Sequence, residues 1–437
     1  MRARRIYSLC AALALFALSS ACAAPSPGAV YVSVPDETPP APSFYLHSGD
    51  TVVFYGDSIT EQRRYAEYIA TFCLTRFGAY RIRFINSGWG WDTVAGGPGG
   101  GIDLRLSRDV VAFRPSVVVI CLGANDAGET PFRPDKLAVF ATGYRHILDT
   151  LTRQLPGVRF TLVSPPAYDD YTRPPKFPGG VNGVLRKYAG TVAKLAGEYH
   201  ATYVDCNTPM AWFLNMASRK SYAIARSVLP DRVHPGPAGH MLIAASILRA
   251  WNAPSTASQI AIDEMSGESS IPGKVRDFKR TVHGISFTVD DALLPWPLDR
   301  DPRKYPDVDF LLRTTNIERD FNIDTLQITG LGPLNYRLII DGADVGVVSG
   351  VDCGNGIDLA RIASPLSAGS LKVLENVRYA DHIRFECWRR RDIGAERRKE
   401  LMDVKTQVDQ DTFALAMATS HRFELRLVEM RRQTARP

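Results

Sequence analysis

Between Asp50 and Trp251 the chain alternates five short β-branched or aromatic runs with longer helical patterns. That alternation restricts it to a parallel sheet covered by helices, because each strand must return to the same edge through a crossover. The runs cover residues 51–55, 81–85, 116–122, 159–163 and 201–205. The run at 116–122, Ser-Val-Val-Val-Ile-Cys-Leu, is the most apolar and is predicted to be central. Helical patterns fill 61–76, 103–112, 134–154, 183–200 and 236–251. Right-handed crossovers then place helices on both faces, and chemistry is expected at the carboxyl ends of the strands.

Four polar blocks stand at such positions, in the order Gly56-Asp57-Ser58, Asn86-Ser87-Gly88, Gly123-Ala124-Asn125-Asp126 and Asp231-Arg232-Val233-His234-Pro235. Each has an ordinary explanation when taken alone. Gly-Asp-Ser is a turn with a helix cap, Gly88 a turn glycine, Asn125 an Asx turn, and His234 a surface histidine beside an aspartate. Together they supply the parts of an acyl-transfer site. Ser58 follows a strand and opens a helix, as an exposed nucleophile requires. Gly88 lets backbone approach a ligand and offers an N–H. The Asn125 amide can donate to a developing oxyanion. Asp231, three residues before His234, can hold one imidazole nitrogen while the other faces the serine.

This order of blocks over residues 50–252 resembles the SGNH hydrolases, the GDSL esterase/lipase superfamily. The resemblance implies a flavodoxin-like, doubly wound sheet of five parallel strands, to which this chain adds a C-terminal α+β extension. It implies Ser58 as nucleophile, His234 as base and Asp231 as its acid partner. Ser58 N–H, Gly88 N–H and the Asn125 side chain are implied as oxyanion donors. It implies an ester substrate and neither metal nor cofactor. Export and family analogy favour O-acetyl groups on polysaccharides, with lipid acyl esters and a non-catalytic carbohydrate-binding envelope protein as the alternatives. Trp89 and Trp91 are candidates for stacking on a sugar or for packing, and Tyr168, in the Pro-rich loop 165–180, is a candidate for the cleft wall.

The ends of the chain carry other information. Arg2, Arg4 and Arg5 precede an apolar stretch at 9–18 and small residues at 19–24, the pattern of an export signal. Cleavage after Ala23 or Ala24 and lipidation of Cys22 are both open, although the aliphatic residue expected three before a lipidated cysteine is replaced by Ser19. The expected organisation is a signal at 1–24, a Pro-rich linker at 25–43, the hydrolase domain at 44–252 and a C-terminal region at 253–437. A linker is expected at 253–268, then strands at 282–289, 325–329, 336–340 and 345–348. Residues 361–430 are expected to be mostly helical, with a strand at 421–428. No member of the catalytic set falls in that region.

The net charge of +6 is spread along the chain. The densest basic run, Arg389-Arg390-Arg391 with Arg397-Arg398-Lys399, lacks any nucleic-acid motif and reads as a solvated face. Membrane attachment is expected only through Cys22. Seven cysteines without ligand spacing exclude a disulfide framework and a zinc site. Cys73, Cys121 and Cys206 read as buried thiols, and Cys353 with Cys387 is left as a candidate pair.

Overall fold

The computed structural model describes residues 43–269, 274–298, 300–390, 392–417 and 419–428. The expected signal at 1–24, Cys22 and all but the last residue of the linker lie outside them. The five β-rich runs form strands β1 (Thr51–Gly56), β2 (Arg83–Gly88), β3 (Val117–Cys121), β4 (Arg159–Val163) and β5 (Thr202–Val204). They pair in parallel in the order β2-β1-β3-β4-β5, so β3 is central, as its composition predicts, and β2 is an edge.

Strand alternation divides the interior in two. Val52, Phe54, Val117, Val119 and Cys121 face one core, while Val53, Tyr55, Val118, Ile120 and Leu122 face the other. The connections carry α1 (Ser58–Glu61), α2 (Arg64–Phe77), α3 (Ile102–Asp109), α4 (Ala124–Ala127), α5 (Pro134–Gln154), α6 (Gly180–Glu198), α7 (Asn207–Lys220), α8 (Tyr222–Val228) and α9 (Pro237–Ala250). Amphipathic α5 and α6 seal the second core with Phe140, Ile147, Leu151, Leu185 and Val192. Apolar α9 is buried almost throughout in the first.

The C-terminal region begins with β6 (Thr256–Asp263), β7 (Val275–Thr281) and β8 (Gly284–Val289). It continues through α10 (Pro306–Thr314), α11 (Ile317–Phe321), β9 (Ile323–Thr329), β10 (Asn335–Ile340), β11 (Ala343–Ser349) and α12 (Gly350–Asn355). It closes with β12 (Ile357–Asp358), α13 (Pro365–Arg389), α14 (Ala395–Ala416) and β13 (His421–Leu427). One antiparallel sheet runs β11-β10-β13-β8-β7 and a second runs β12-β9-β6. From Ser43 on, the chain forms one compact unit. Trp296, Val308, Leu311, Phe321 and Leu374 from this region complete the first core. The Trp296 indole N–H donates to the Tyr68 carbonyl at 3.0 Å. Arg76 of α2 is buried and donates to the carbonyls of Leu294 and Phe321 and to Asn322.

Two expectations are corrected. The stretch 253–268 is not a linker, because it contains β6, whose Ala257, Ile260 and Ile262 are buried while its polar residues gave the composition of a loop. Cys353 and Cys387 do not pair; each is a buried free thiol, as are Cys73, Cys121 and Cys206. β7 went unpredicted because it is an edge strand of Val-Arg-Asp-Phe-Lys-Arg-Thr, the charged composition that protects a sheet edge from further pairing. No described helix is long and apolar enough to cross a membrane.

Candidate active site

The parallel register brings three blocks to one edge. Gly56 at the end of β1 lies opposite Gly88 of β2 on one side and Cys121 of β3 on the other. Ser58 and Asn125 therefore leave neighbouring strands side by side. The Asp57 carboxylate caps α1 by accepting from the Ile59 N–H at 3.0 Å, which sets Ser58 at the first helical position. The first turn of a helix leaves N–H groups without intrahelical partners, and the Ser58 N–H is one of them.

The loop before α9 brings His234, the expected base, to Ser58. His234 Nε2 lies 2.8 Å from Ser58 Oγ, and His234 Nδ1 lies 2.6 Å from Asp231 Oδ2. The other Asp231 oxygen accepts from the backbone N–H groups of Val233 at 3.0 Å and His234 at 2.7 Å, so the loop wraps around the carboxylate. Burial pushes this carboxyl up, but the His234 N–H, the His234 ring and the Val233 N–H together hold it below the ordinary aspartate value. An ionised Asp231 fixes the tautomer with the proton on Nδ1 and leaves Nε2 to accept from Ser58. Arg232 makes this tight turn possible at a φ of 82°, in the left-handed region. Its guanidinium donates to the carbonyls of Asp169 at 2.9 Å and Pro174 at 2.7 Å.

The Asn125 amide donates one hydrogen to the Asp92 carbonyl at 2.9 Å, which aims the side chain and leaves its second hydrogen for a ligand. Gly88 is placed less simply. A Cβ there would collide with the backbone of Thr60 and Glu61, so only glycine lets β2 pass under α1. Its N–H donates to Asn86 Oδ1 at 3.0 Å, while Asn86 Nδ2 donates to the Thr60 carbonyl at 2.8 Å. The expected third oxyanion donor is thus engaged by its own loop, and it can serve an oxyanion only by sharing.

The three aromatic candidates separate. Tyr168 is buried, its hydroxyl donates to Glu129 at 2.8 Å, and the Arg232 guanidinium lies 5.0 Å from its ring centre. It braces the His234 loop and does not line an open cleft, a correction to its predicted place. Trp89 is half-buried, with Arg389 stacked 3.5 Å from its ring centre and Trp388 against its edge. Trp91 is 76 % exposed and holds a φ of 66°. It follows Gly90, where a Cβ would fall 3.9 Å from that of Ser58, and precedes Asp92, the anchor of Asn125.

Sequence reasoning missed the groups that hold these residues. Fully buried Arg105 donates to Asp92 at 2.7 Å and to the Ser87 carbonyl at 2.7 Å, and pairs with Asp109. Glu61 accepts from the Gly90 N–H at 3.0 Å. Asp57 and Asp126 are carboxyls in a poorly solvated shell below the site. Burial raises Asp57 to about 7, against the Ile59 hydrogen bond and with help from Asp126. Burial raises Asp126 to about 6. A charged residue beside a glycine turn gives no local sign of burial, so nothing in the sequence pointed to Arg105.

Residues 54–242 match the profile of the GDSL-like lipase/acylhydrolase family. An acetylxylan esterase of Geobacillus stearothermophilus is 27 % identical over 223 residues, which are 47 % of this chain and 94 % of that protein. A crystal structure of an acetylxylan esterase from the same organism covers 49 % of this chain and 100 % of its own, at 26 % identity and a TM-score of 0.40. A gut microbial diltiazem-metabolizing enzyme superposes with a TM-score of 0.77 at 21 % identity, over 88 % of this chain and 98 % of that one. The fold of nearly the whole chain, C-terminal region included, therefore occurs in a solved structure.

Proposed function

The chain belongs, through residues 54–242, to the GDSL-like lipase/acylhydrolase family, an SGNH hydrolase group, and we propose that it is an exported serine esterase acting on O-acetylated carbohydrate. One observation carries the chemistry: the unbroken relay from Ser58 Oγ to His234 Nε2 at 2.8 Å and from His234 Nδ1 to Asp231 at 2.6 Å. Ser58 attacks the ester carbonyl and gives its proton to His234. The Ser58 N–H and the free hydrogen of Asn125 hold the oxyanion, with Gly88 sharing its N–H. His234 protonates the departing alcohol, and the acyl-enzyme is hydrolysed by a water that His234 then deprotonates.

Two observations support a carbohydrate as the alcohol. Trp91 presents an exposed ring one residue after Gly90, the glycine that packs near Ser58, and an indole offers a flat apolar face for a sugar ring. A backbone strained toward the left-handed region is kept where surrounding structure or function demands it. A relative 27 % identical over 223 residues is an acetylxylan esterase. Export rests on the basic and apolar segments at the N-terminus.

The test compares p-nitrophenyl acetate with long-chain p-nitrophenyl esters, followed by a panel of acetylated polysaccharides. Ser58-dependent release of acetate from a polysaccharide is the expected result. Preference for long acyl chains would assign the site to lipids, and no hydrolysis of any ester would return the chain to a binding role.

A further inference from the structure

The C-terminal helix α13 ends against the loop that joins β2 to Asn125's anchor. Arg389 stacks on Trp89 and its Nη2 lies 2.7 Å from Glu61 Oε1. The other Glu61 oxygen takes the Gly90 N–H at 3.0 Å. Trp388 donates its indole N–H to Asp109 at 2.8 Å and meets the Trp89 ring edge-on, the planes 87° apart. Arg384 donates to the carbonyl of Asn86, whose side chain holds the Gly88 N–H. Segment 86–92 is therefore gripped from both sides, by buried Arg105 beneath and by α13 above.

We infer that Arg389 is a positioning residue for the esterase reaction, acting through Trp89 and Glu61 to hold the backbone of Gly88–Asp92 at oxyanion geometry. The inference rests on the esterase assignment above. Preorganised donors contribute to catalysis only while they stay in place, and a shift of about 1 Å can cost up to a hundredfold in rate. The guanidinium meets a geometric demand that a lysine meets only in part. It stacks its plane on an indole while one edge binds a carboxylate, whereas an ammonium keeps the charge pair and loses the stack. This changes the place of the C-terminal region. It holds no reacting group, and yet it supplies one wall of the loop that carries Gly88 and anchors Asn125. It also corrects the basic run, because Arg389 is engaged with Trp89 and Glu61 rather than solvated.

The experiment measures Arg389→Ala and Arg389→Lys in the full-length protein by two independent readouts. Turnover of p-nitrophenyl acetate should fall about tenfold or more in Arg389→Ala, with KM within about twofold, and Arg389→Lys should recover part of it. Hydrogen exchange should quicken in the peptide containing Trp89 and Gly90 and stay unchanged in β3 and α9. Wild-type exchange in that peptide together with wild-type kcat in Arg389→Ala overturns the inference, as does a loss carried by KM alone. If Arg389→Ala does not fold, Arg389→Lys decides by the same criteria. Faster loop exchange in a protein whose wild type lacks any Ser58-dependent hydrolysis would refute the esterase assignment and leave the loop clamp standing.

Discussion

Asp57 offers the sharpest physical test, because its carboxyl is buried next to Ser58 at the start of α1. Burial raises it from an unfolded value of 3.8 to about 7, and the Ile59 N–H offsets only part of that. The sign follows from proton binding. Between those two values the native state holds a proton that the unfolded state has lost, so stability falls as pH rises through the window. The cost is small near pH 4 and complete above about 7. A shift of roughly three units at 1.36 kcal/mol each amounts to about 4 kcal/mol, of which about 3 kcal/mol develops between pH 5 and 8.5. Asp57→Asn removes the charge and keeps a side-chain oxygen for the cap, since asparagine and aspartate cap helices comparably.

The variant should therefore gain stability over wild type as pH rises, with little difference near pH 4.5. Urea unfolding followed by tryptophan fluorescence from pH 4.5 to 9 would measure this. Other raised carboxyls, such as Glu67 at about 7, are present in both proteins and cancel in the difference. Asp126 contributes to the shift, so adding Asp126→Asn to both backgrounds should move the window toward lower pH. A difference constant to within about 1 kcal/mol between pH 5 and 8.5 would refute the burial argument.

Other outcomes follow from the site. Ser58→Ala should lower turnover by roughly 10⁴ or more without changing the unfolding midpoint, and a fluorophosphonate should label wild type at Ser58 alone by peptide mass spectrometry. Asn125→Ala should lower kcat about a hundredfold with KM nearly constant, because its free hydrogen acts on the oxyanion; a rise in KM alone would make it a binding residue. Trp91→Ala should lose about tenfold or more in kcat/KM on acetylated xylo-oligosaccharides and little on p-nitrophenyl acetate, and equal losses on both would remove it as a sugar platform. Mass spectrometry of protein exported from a bacterial host should show a chain beginning at Ala24 or Pro25, or an acylated Cys22, whereas an intact Met1 in the cytosol would contradict export.

The cluster of Ser58, Asn125, Asp231 and His234 that the structure brings together was legible because each member is announced locally. Ser58, Asn125 and His234 follow strands or precede helices, and their spacing to Gly56, Gly123 and Asp231 is short. The central sheet was legible for a similar reason, since a run such as Ser-Val-Val-Val-Ile-Cys-Leu can be satisfied only by burial on both faces. Tyr168 was misplaced, and Trp89 left open between sugar and packing, because an aromatic residue in a polar loop looks the same whether it meets a ligand or a protein cation. Their partners, Arg232 and Arg389, are distant in sequence, and no periodicity links them.

Topology explains why a distant helix reaches this site at all. In the order β2-β1-β3-β4-β5 Ser58 follows β1 and Asn125 follows β3, each strand with a neighbour on both sides. The glycine loop leaves β2, which has a neighbour on one side only. A loop that must hold backbone N–H groups steady is thus hung from an edge strand of the sheet, and its glycines give it the freedom to move. Arg105 secures it from within the fold through Asp92 and Ser87. The open side still needs a wall, and α13, which packs on α2 and β2 and whose Arg384 donates to the Asn86 carbonyl, provides one. On this argument the C-terminal region should matter most to residues 86–92; at the Asp231–His234 loop, which Arg232 and Tyr168 hold, it adds Asp307, which accepts the Ala238 N–H at 3.1 Å where α9 begins.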